Sequence, residues 1–266
     1  MANGAHRFRY VPHLRSKAGE ATALRELDPN SKDRIFPIIH LSSNPPNTFA
    51  DALSKAWNGR PLALDGLFNL AASGATTMFT NIFNDIGTAG VEVIPSIEPS
   101  APPQYVQRVT QTVNRYGPGL VVKVTLAQLQ NAAAWIAIHG WQPQEVDLVV
   151  NVGNVSDFDP LNFSGYVAAT LNGLVGHPND WRSVTLAAAA APKDAGQLQR
   201  GRNSIPRKDW ILWNHVQQQV QFDLDYGDYG AIHPDMTEPP GYAMARATVS
   251  ARYTTDVSPA NSSRFG

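Results

Sequence analysis

Short apolar runs recur along this chain, and several of them carry a polar or charged residue at or near their C-terminal end. RIFPIIH stops on His40, PLALD on Asp65, VEVIPSIE on Glu98, GLVVKVT on Lys123 and Thr125, and EVDLVVNVG holds Asn151 near its end. Runs of this length, rich in Val, Ile and Leu and bounded by Gly, Pro or Asn, predict buried strands. With RYVPHLR (9–15), RSVTLAAAA (182–190) and VQFDLDYGDYG (220–230) they make eight. The seventh is the weakest, because alanine is a poor strand former. Helical patterns separate the strands: one from Glu20, then 49–57, 76–86, 102–117, 126–139, 165–174 and 205–216. PPQYVQRVTQTVNRYG opens on proline and closes on glycine, the favoured helix asymmetry.

Eight strands separated by seven helical stretches predict an α/β fold, a TIM-like (β/α)8 barrel with an atypical or missing last helix. No glycine fingerprint follows a strand, which argues against an open dinucleotide-binding sheet. The barrel is expected over 1–237. A C-terminal extension, 238–266, reads as an extended segment over 242–257 and a loose tail, PANSSRFG.

Strand parity then sorts the faces, since alternate side chains point opposite ways. Over 145–153, Leu148, Val150 and Val152 form an aliphatic face that suits the helices, leaving Asp147, Asn151 and Gly153 for the interior. The same rule sends Arg15, His40, Asp65, Glu98, Lys123, Thr125, Asn151, Thr185 and Asp225 toward the axis near the C-terminal mouth. Lys17, Asn154 and Asp228 fall in the loops just above. Opposed charges in one cleft point to acid–base work or to a small anionic ligand; a self-satisfied ion-pair network is the plainer alternative.

Composition narrows the field. The chain has 266 residues, 43% hydrophobic and 16% charged, enough for one barrel and its core. A net charge of -1 gives no electrostatic footprint for duplex nucleic acid or an anionic membrane. Cysteine is absent, which excludes disulfides and thiolate chemistry. MANGAHRFRY has no apolar signal core and no apolar run is long enough to span a bilayer, so a cytoplasmic location is expected.

Individual motifs add little chemistry. His40 with Asp65 and Glu98 forms a mixed nitrogen–oxygen set, but no HxH or HExxH spacing occurs, so no metal and no cofactor is expected. Lys123 has the placement of a Schiff-base lysine, yet Glu98 one strand away favours a salt bridge. FDLDYGDYGAIHPD (222–235) is a polar–aromatic cluster, and Tyr229 in it joins the candidate binding residues. Trp210 and Trp213 share a helical face and suit packing against the sheet. Arg207 opposes the dipole at that helix start, which calls for a carboxylate partner such as Asp209 or Asp228.

Taken together, YVPHLRSKAGEATAL, RIFPIIHL, VDLVVNVGNV, IPRKDWILWNHV, the GDYG strand and ATVSARYT resemble, in order over about 9–256, the phage Beta-protein family. The matching positions are Lys17, Gly19, Glu20, Asp65, Arg207, Trp210, Asp228, Tyr229, Arg252 and Tyr253. His40 and Asn151 stand where the family has acidic residues, and the tryptophan-containing segment and helix that follow ARYT there have no counterpart. The resemblance implies a barrel and, for the phage member, counteraction of a toxic partner, Gop. It brings no established catalytic residues.

The leading expectation is therefore a barrel that binds a protein partner, encoded nearby, in a toxin-counteracting or phage-defence system. A hydrolase or lyase is the alternative, with Glu98 or Asp225 as base and Arg15, Lys17 or Lys123 stabilising an anion; Lys123 counts with Glu98 and Asp225 as a catalytic candidate. Arg15, Lys17, His40, Asp65, Asn151, Arg207, Asp228 and Tyr229 are the binding candidates. A structural phage component is the third reading.

Overall fold

The computed structural model describes residues 9–42, 45–66, 75–174, 180–192, 203–230, 233–235, 252–255 and 262–265. In chain order the strands are β1 (Tyr10–Arg15), β2 (Ile38–His40), β3 (Pro61–Asp65), β4 (Glu92–Ile97), β5 (Leu120–Thr125), β6 (Val146–Asn154), β7 (Ser183–Ala189), β8 (Asn203–Pro206), β9 (Asp225–Asp228), β10 (Arg252–Thr255) and β11 (Ser262–Phe265). Strands β1 to β7 and β9 pair in parallel and close into a barrel in that order. The expected (β/α)8 architecture is what the chain adopts.

The helices are α1 (Ala18–Glu26), α2 (Pro29–Lys32), α3 (Phe49–Trp57), α4 (Ala75–Thr88), α5 (Pro103–Tyr116), α6 (Leu126–Leu129), α7 (Ala132–Ile138), α8 (Pro160–Leu174) and α9 (Lys208–Gln217). The helix expected over 126–139 is two, with Gln130 and Asn131 between them. Thr125 starts α6 through a capping box with Gln128. Among the described residues no helix follows β9.

β8, β11 and β10 form a separate antiparallel sheet. Ser262–Phe265, read as loose tail, is thus a strand paired with β8, a partnership across about 60 residues that no local pattern announces. Of the segment expected over 242–257, residues 242–251 and 256–257 lie outside the described residues.

Two apolar cores follow from strand alternation. Outward side chains such as Ile39, Leu64, Val122, Leu148, Val150 and Tyr226 pack under the helices. Inward, Val11, Phe36, Ile38, Ala63, Ile94, Val121, Val149 and Ala187 fill the middle of the barrel. This plug separates polar groups at the two ends. The alanine run of β7 has a packing reason: a Cβ on Gly227 would lie 3.0 Å from the side chains of both Thr185 and Ala187, so β7 and β9 approach too closely for bulk. Ala189 clusters with Tyr229 at the mouth.

The end of β3 is braced from outside. Tyr105 of α5 accepts a hydrogen bond from Gly66 N at 2.8 Å and donates to Ser96 O at 2.9 Å. A Cβ on Gly66 would stand 2.9 Å from ring atoms of both Phe79 and Tyr105, which are fully buried. Gly66→Ala is expected to cost about 2 kcal/mol through overpacking, measurable by urea unfolding. An unchanged midpoint would contradict that account.

Candidate functional site

The mouth cluster centres on Asp65, which is fully buried at the end of β3. Register places His40 beside Asp65 and Asp65 beside Ser96 on neighbouring strands. Lys123 Nζ ion-pairs with Asp65 Oδ2 and lies 3.7 Å from Glu98 Oε2. Ser96 Oγ donates to Asp65 Oδ2 at 3.4 Å. Glu98 is 38% exposed and accepts a 2.6 Å hydrogen bond from Ser100 Oγ. One inner carboxylate therefore anchors the lysine while a second, half open, stands beside it.

Two histidines extend the cluster. His40 Nδ1 is 3.4 Å from Asp65 Oδ2, and His40 Nε2 is 2.9 Å from His13 Nδ1. The rings stack at 5.2 Å, and His13 stacks on Tyr229 at 4.5 Å. The Asp65 carboxylate beside Nδ1 is an electrostatic contact that favours the proton there, and in that tautomer His40 Nε2 accepts from His13 Nδ1–H. Both imidazoles titrate well below the ordinary histidine range. For His40 the causes are burial, then the charges of Lys123 and Arg15; for His13 they are burial, then His40 and Lys123. They are neutral at pH 7. Burial, then Asp65 and Glu98, push the Tyr229 phenol up, against a side-chain hydrogen bond with Asn151. Asn151 also accepts from Gly153 N at 2.9 Å across a bulge in β6. Arg15, half-buried, adjoins His40 in register.

Asp225 is not in this group. It faces inward but stands at the opposite, N-terminal end of the barrel, because it opens β9 and only Tyr229, four residues on, reaches the mouth. There Arg9 Nε bonds Asp225 Oδ2 at 3.1 Å and Arg9 Nη2 bonds Asp147 Oδ1 at 3.1 Å and Ser183 Oγ at 2.7 Å. Arg182 and Ser183 also hold Asp147, each at 2.5 Å. Burial alone would raise the Asp147 carboxyl; Arg182 and Arg9 more than offset it and keep it below its usual range. The basal cluster is closed on itself.

Arg207 and Asp228 form a third group, outside the barrel. Asp228 shares the outer face of β9 with Tyr226 and accepts from Tyr10 OH at 2.6 Å and Gly230 N at 2.9 Å. Arg207, at the start of α9, donates to Asp209 at 2.7 Å and Asp228 at 2.9 Å and also bonds the Tyr226 hydroxyl. Tyr226 donates to Asp209 at 2.6 Å. The carboxylate partners expected for Arg207 are present, but they fasten α9 to β9 and β1 instead of lining the mouth. Trp210 and Trp213 pack on Tyr226 at 5.0 and 5.5 Å, the sheet-packing role their spacing suggested.

Lys17 is exposed beside the N-terminus of α1. Thr125 is a helix cap, Thr185 is buried near Gly227, and Asn154 braces the loop to Ala191 O at 2.7 Å. Of the residues that parity sends to the mouth, Arg15, His40, Asp65, Glu98, Lys123 and Asn151 meet at one end, and Tyr229, a candidate from the polar–aromatic cluster, joins them. Parity on β1 also turns His13 inward, between Val11 and Arg15; Arg9, just before β1, carried no signal. Among the described residues no His, Asp or Glu group has metal-binding geometry.

Compared with known proteins, a family model described as Beta protein matches residues 10–259. No curated protein matches. Among solved structures the chain is similar to type I 3-dehydroquinate dehydratase from Clostridium difficile, at 9% identity over 86% of this chain and 87% of that one, TM-score 0.46. It is similar to the tryptophan synthase α-subunit of Pyrococcus furiosus at 10% identity over 84% and 89%, TM-score 0.46. Triosephosphate isomerase from Bartonella henselae gives 10% over 83% and 92%, TM-score 0.39. These are likenesses of fold alone.

Proposed function

The chain belongs to the Beta protein family, and from its mouth geometry we propose that this member is an acid–base enzyme, a hydrolase or lyase acting on a small anionic substrate. One arrangement carries the reading: an inward lysine anchored by a buried carboxylate, with a second carboxylate half open beside it. Asp65 holds Lys123 in place through their ion pair, so the lysine is preorganised for an oxyanion that develops in the transition state. Glu98 has the exposure and reach of a general base, taking a proton from water or from carbon next to an acidic group. The basal cluster and the Arg207 cluster, whose hydrogen bonds are internal, serve as structure.

A comparison of small anionic metabolites in cell extract after incubation with the protein and with Glu98→Gln tests this. The wild-type protein is expected to consume at least one that the variant leaves, with a loss of roughly 10²-fold or more in rate. Equal profiles would sink the enzyme reading.

Family membership over nearly the whole chain favours a second reading, a barrel that binds a partner protein in a toxin-counteracting or phage-defence cassette. It is tested in the native host: protection that survives Glu98→Gln and Lys123→Met, with a cassette-encoded protein recovered on the barrel, would support partner binding over catalysis.

A further inference from the structure

Two buried polar atoms on the inner face of β1 lack a hydrogen-bond partner, Arg15 Nε and His13 Nε2. Such orphans are uncommon, and each calls for an explanation. Here they are two residues apart on one strand, so their backbones are separated by about 7 Å along it, and they are of opposite sense. Arg15 Nε is a donor on a permanent cation. His13 Nε2 is an acceptor in the tautomer that Asp65 favours electrostatically, with the proton of His40 on Nδ1, 3.4 Å from Asp65 Oδ2, and that of His13 on Nδ1, donated to His40. Glu20 is within electrostatic reach of Arg15 and Lys17, yet its carboxyl, raised by burial, makes no side-chain hydrogen bond to that guanidinium.

We propose that these two atoms form a subsite for a small hydroxylated oxyanion, the carboxylate or phosphate taken by Arg15 and the hydroxyl donating to His13 Nε2. It rests on the mouth being a ligand site, and it adds the substrate class. Both atoms are closed off from solvent, so the ligand is enclosed when bound and has few heavy atoms. Arginine's planar fork suits either oxyanion. The hydroxyl requirement comes from the imidazole: an anion without a donor leaves the Nε2 lone pair unmatched, and a site built for a hydroxyl rejects the analogue lacking one.

Nitrogen-15 NMR of the full chain at pH 7 is the test. His13 is expected as the Nδ1–H tautomer with Nε2 unprotonated; a proton on Nε2 overturns the proposal. Arg15 Nε–H is then followed while glycolate or acetate, and glycerol 3-phosphate or inorganic phosphate, are added. In at least one pair the hydroxylated member is expected to bind about tenfold tighter, one hydrogen bond's worth. His13→Phe should erase that ratio, and His13→Gln, whose amide oxygen still accepts, should keep part of it. Arg15→Met should weaken both members of the pair.

No shift with any of the four anions, or a ratio that His13→Phe leaves intact, overturns the subsite. The outcome is separable from the enzyme reading. Anion binding with a silent Glu98→Gln comparison leaves a binding site without catalysis. Catalysis lost in Glu98→Gln, with no response at Arg15, leaves the enzyme and removes this subsite.

Discussion

Acidification from pH 7 to pH 5 is expected to lower the stability of the fold by about 3–4 kcal/mol, through two imidazoles. His13 and His40 are buried and neutral, with folded pKa values well below the usual one. In the unfolded chain both titrate near 6.5. Below that pH the unfolded chain binds up to two more protons than the native state, so unfolding gains as pH falls. The slope approaches about 2.7 kcal/mol per pH unit until the folded values are reached. The groups facing the pair act in the same direction or are fixed: Lys123 and Arg15 disfavour protonation of His40, while Asp65 alone works the other way on His13. Asp147, held below its usual range, adds to acid loss at lower pH; Glu20 and Asp228, raised by burial, oppose it. Urea unfolding at half-unit pH steps checks this, with the His13→Gln/His40→Gln double variant as control. A wild-type curve that is flat over this range, or a variant curve just as steep, would refute the neutral pair.

Asp65→Asn is the substitution expected to cost most, about 3 kcal/mol or more, lowering Tm by roughly 10 °C in a chain of this size. It removes the counter-charge of a lysine whose side chain is only 10% exposed, and Glu98 at 3.7 Å is a poor replacement. His40 loses the group that fixes its tautomer at the same time. The cost comes from a stranded charge, so the pair replacement Asp65→Leu/Lys123→Met should recover most of it, as apolar substitutes for buried ion pairs often do. Scanning calorimetry on Asp65→Leu, Lys123→Met and the pair forms a double-mutant cycle. Additive losses would mean that the residues act through packing and not through each other.

Local pattern carried the barrel. Apolar runs with a period of two, separated by helical stretches, name the eight strands, and parity names their inner faces. His40, Asp65 and Lys123 were legible for that reason, and they do meet. Parity gives the side of a strand but not the height along the barrel axis. Asp225 shows the difference: it faces inward as predicted, yet it opens its strand where Glu98 follows its own, and the apolar layer lies between them. Asp228 fails in the other way. Its neighbour Tyr229 is the inward residue, so Asp228 turns out toward α9 and meets Arg207 there.

By itself, then, the sequence determined which segments are barrel strands and which side chains share a face, because both are set by spacing along a single strand. Tertiary structure alone decided which strand ends coincide, that two histidines from separate strands join in one hydrogen-bonded chain, and that Arg9 seals the base. Those contacts join residues as far as 216 positions apart. Their partners are chosen by barrel closure and register, which no local period encodes.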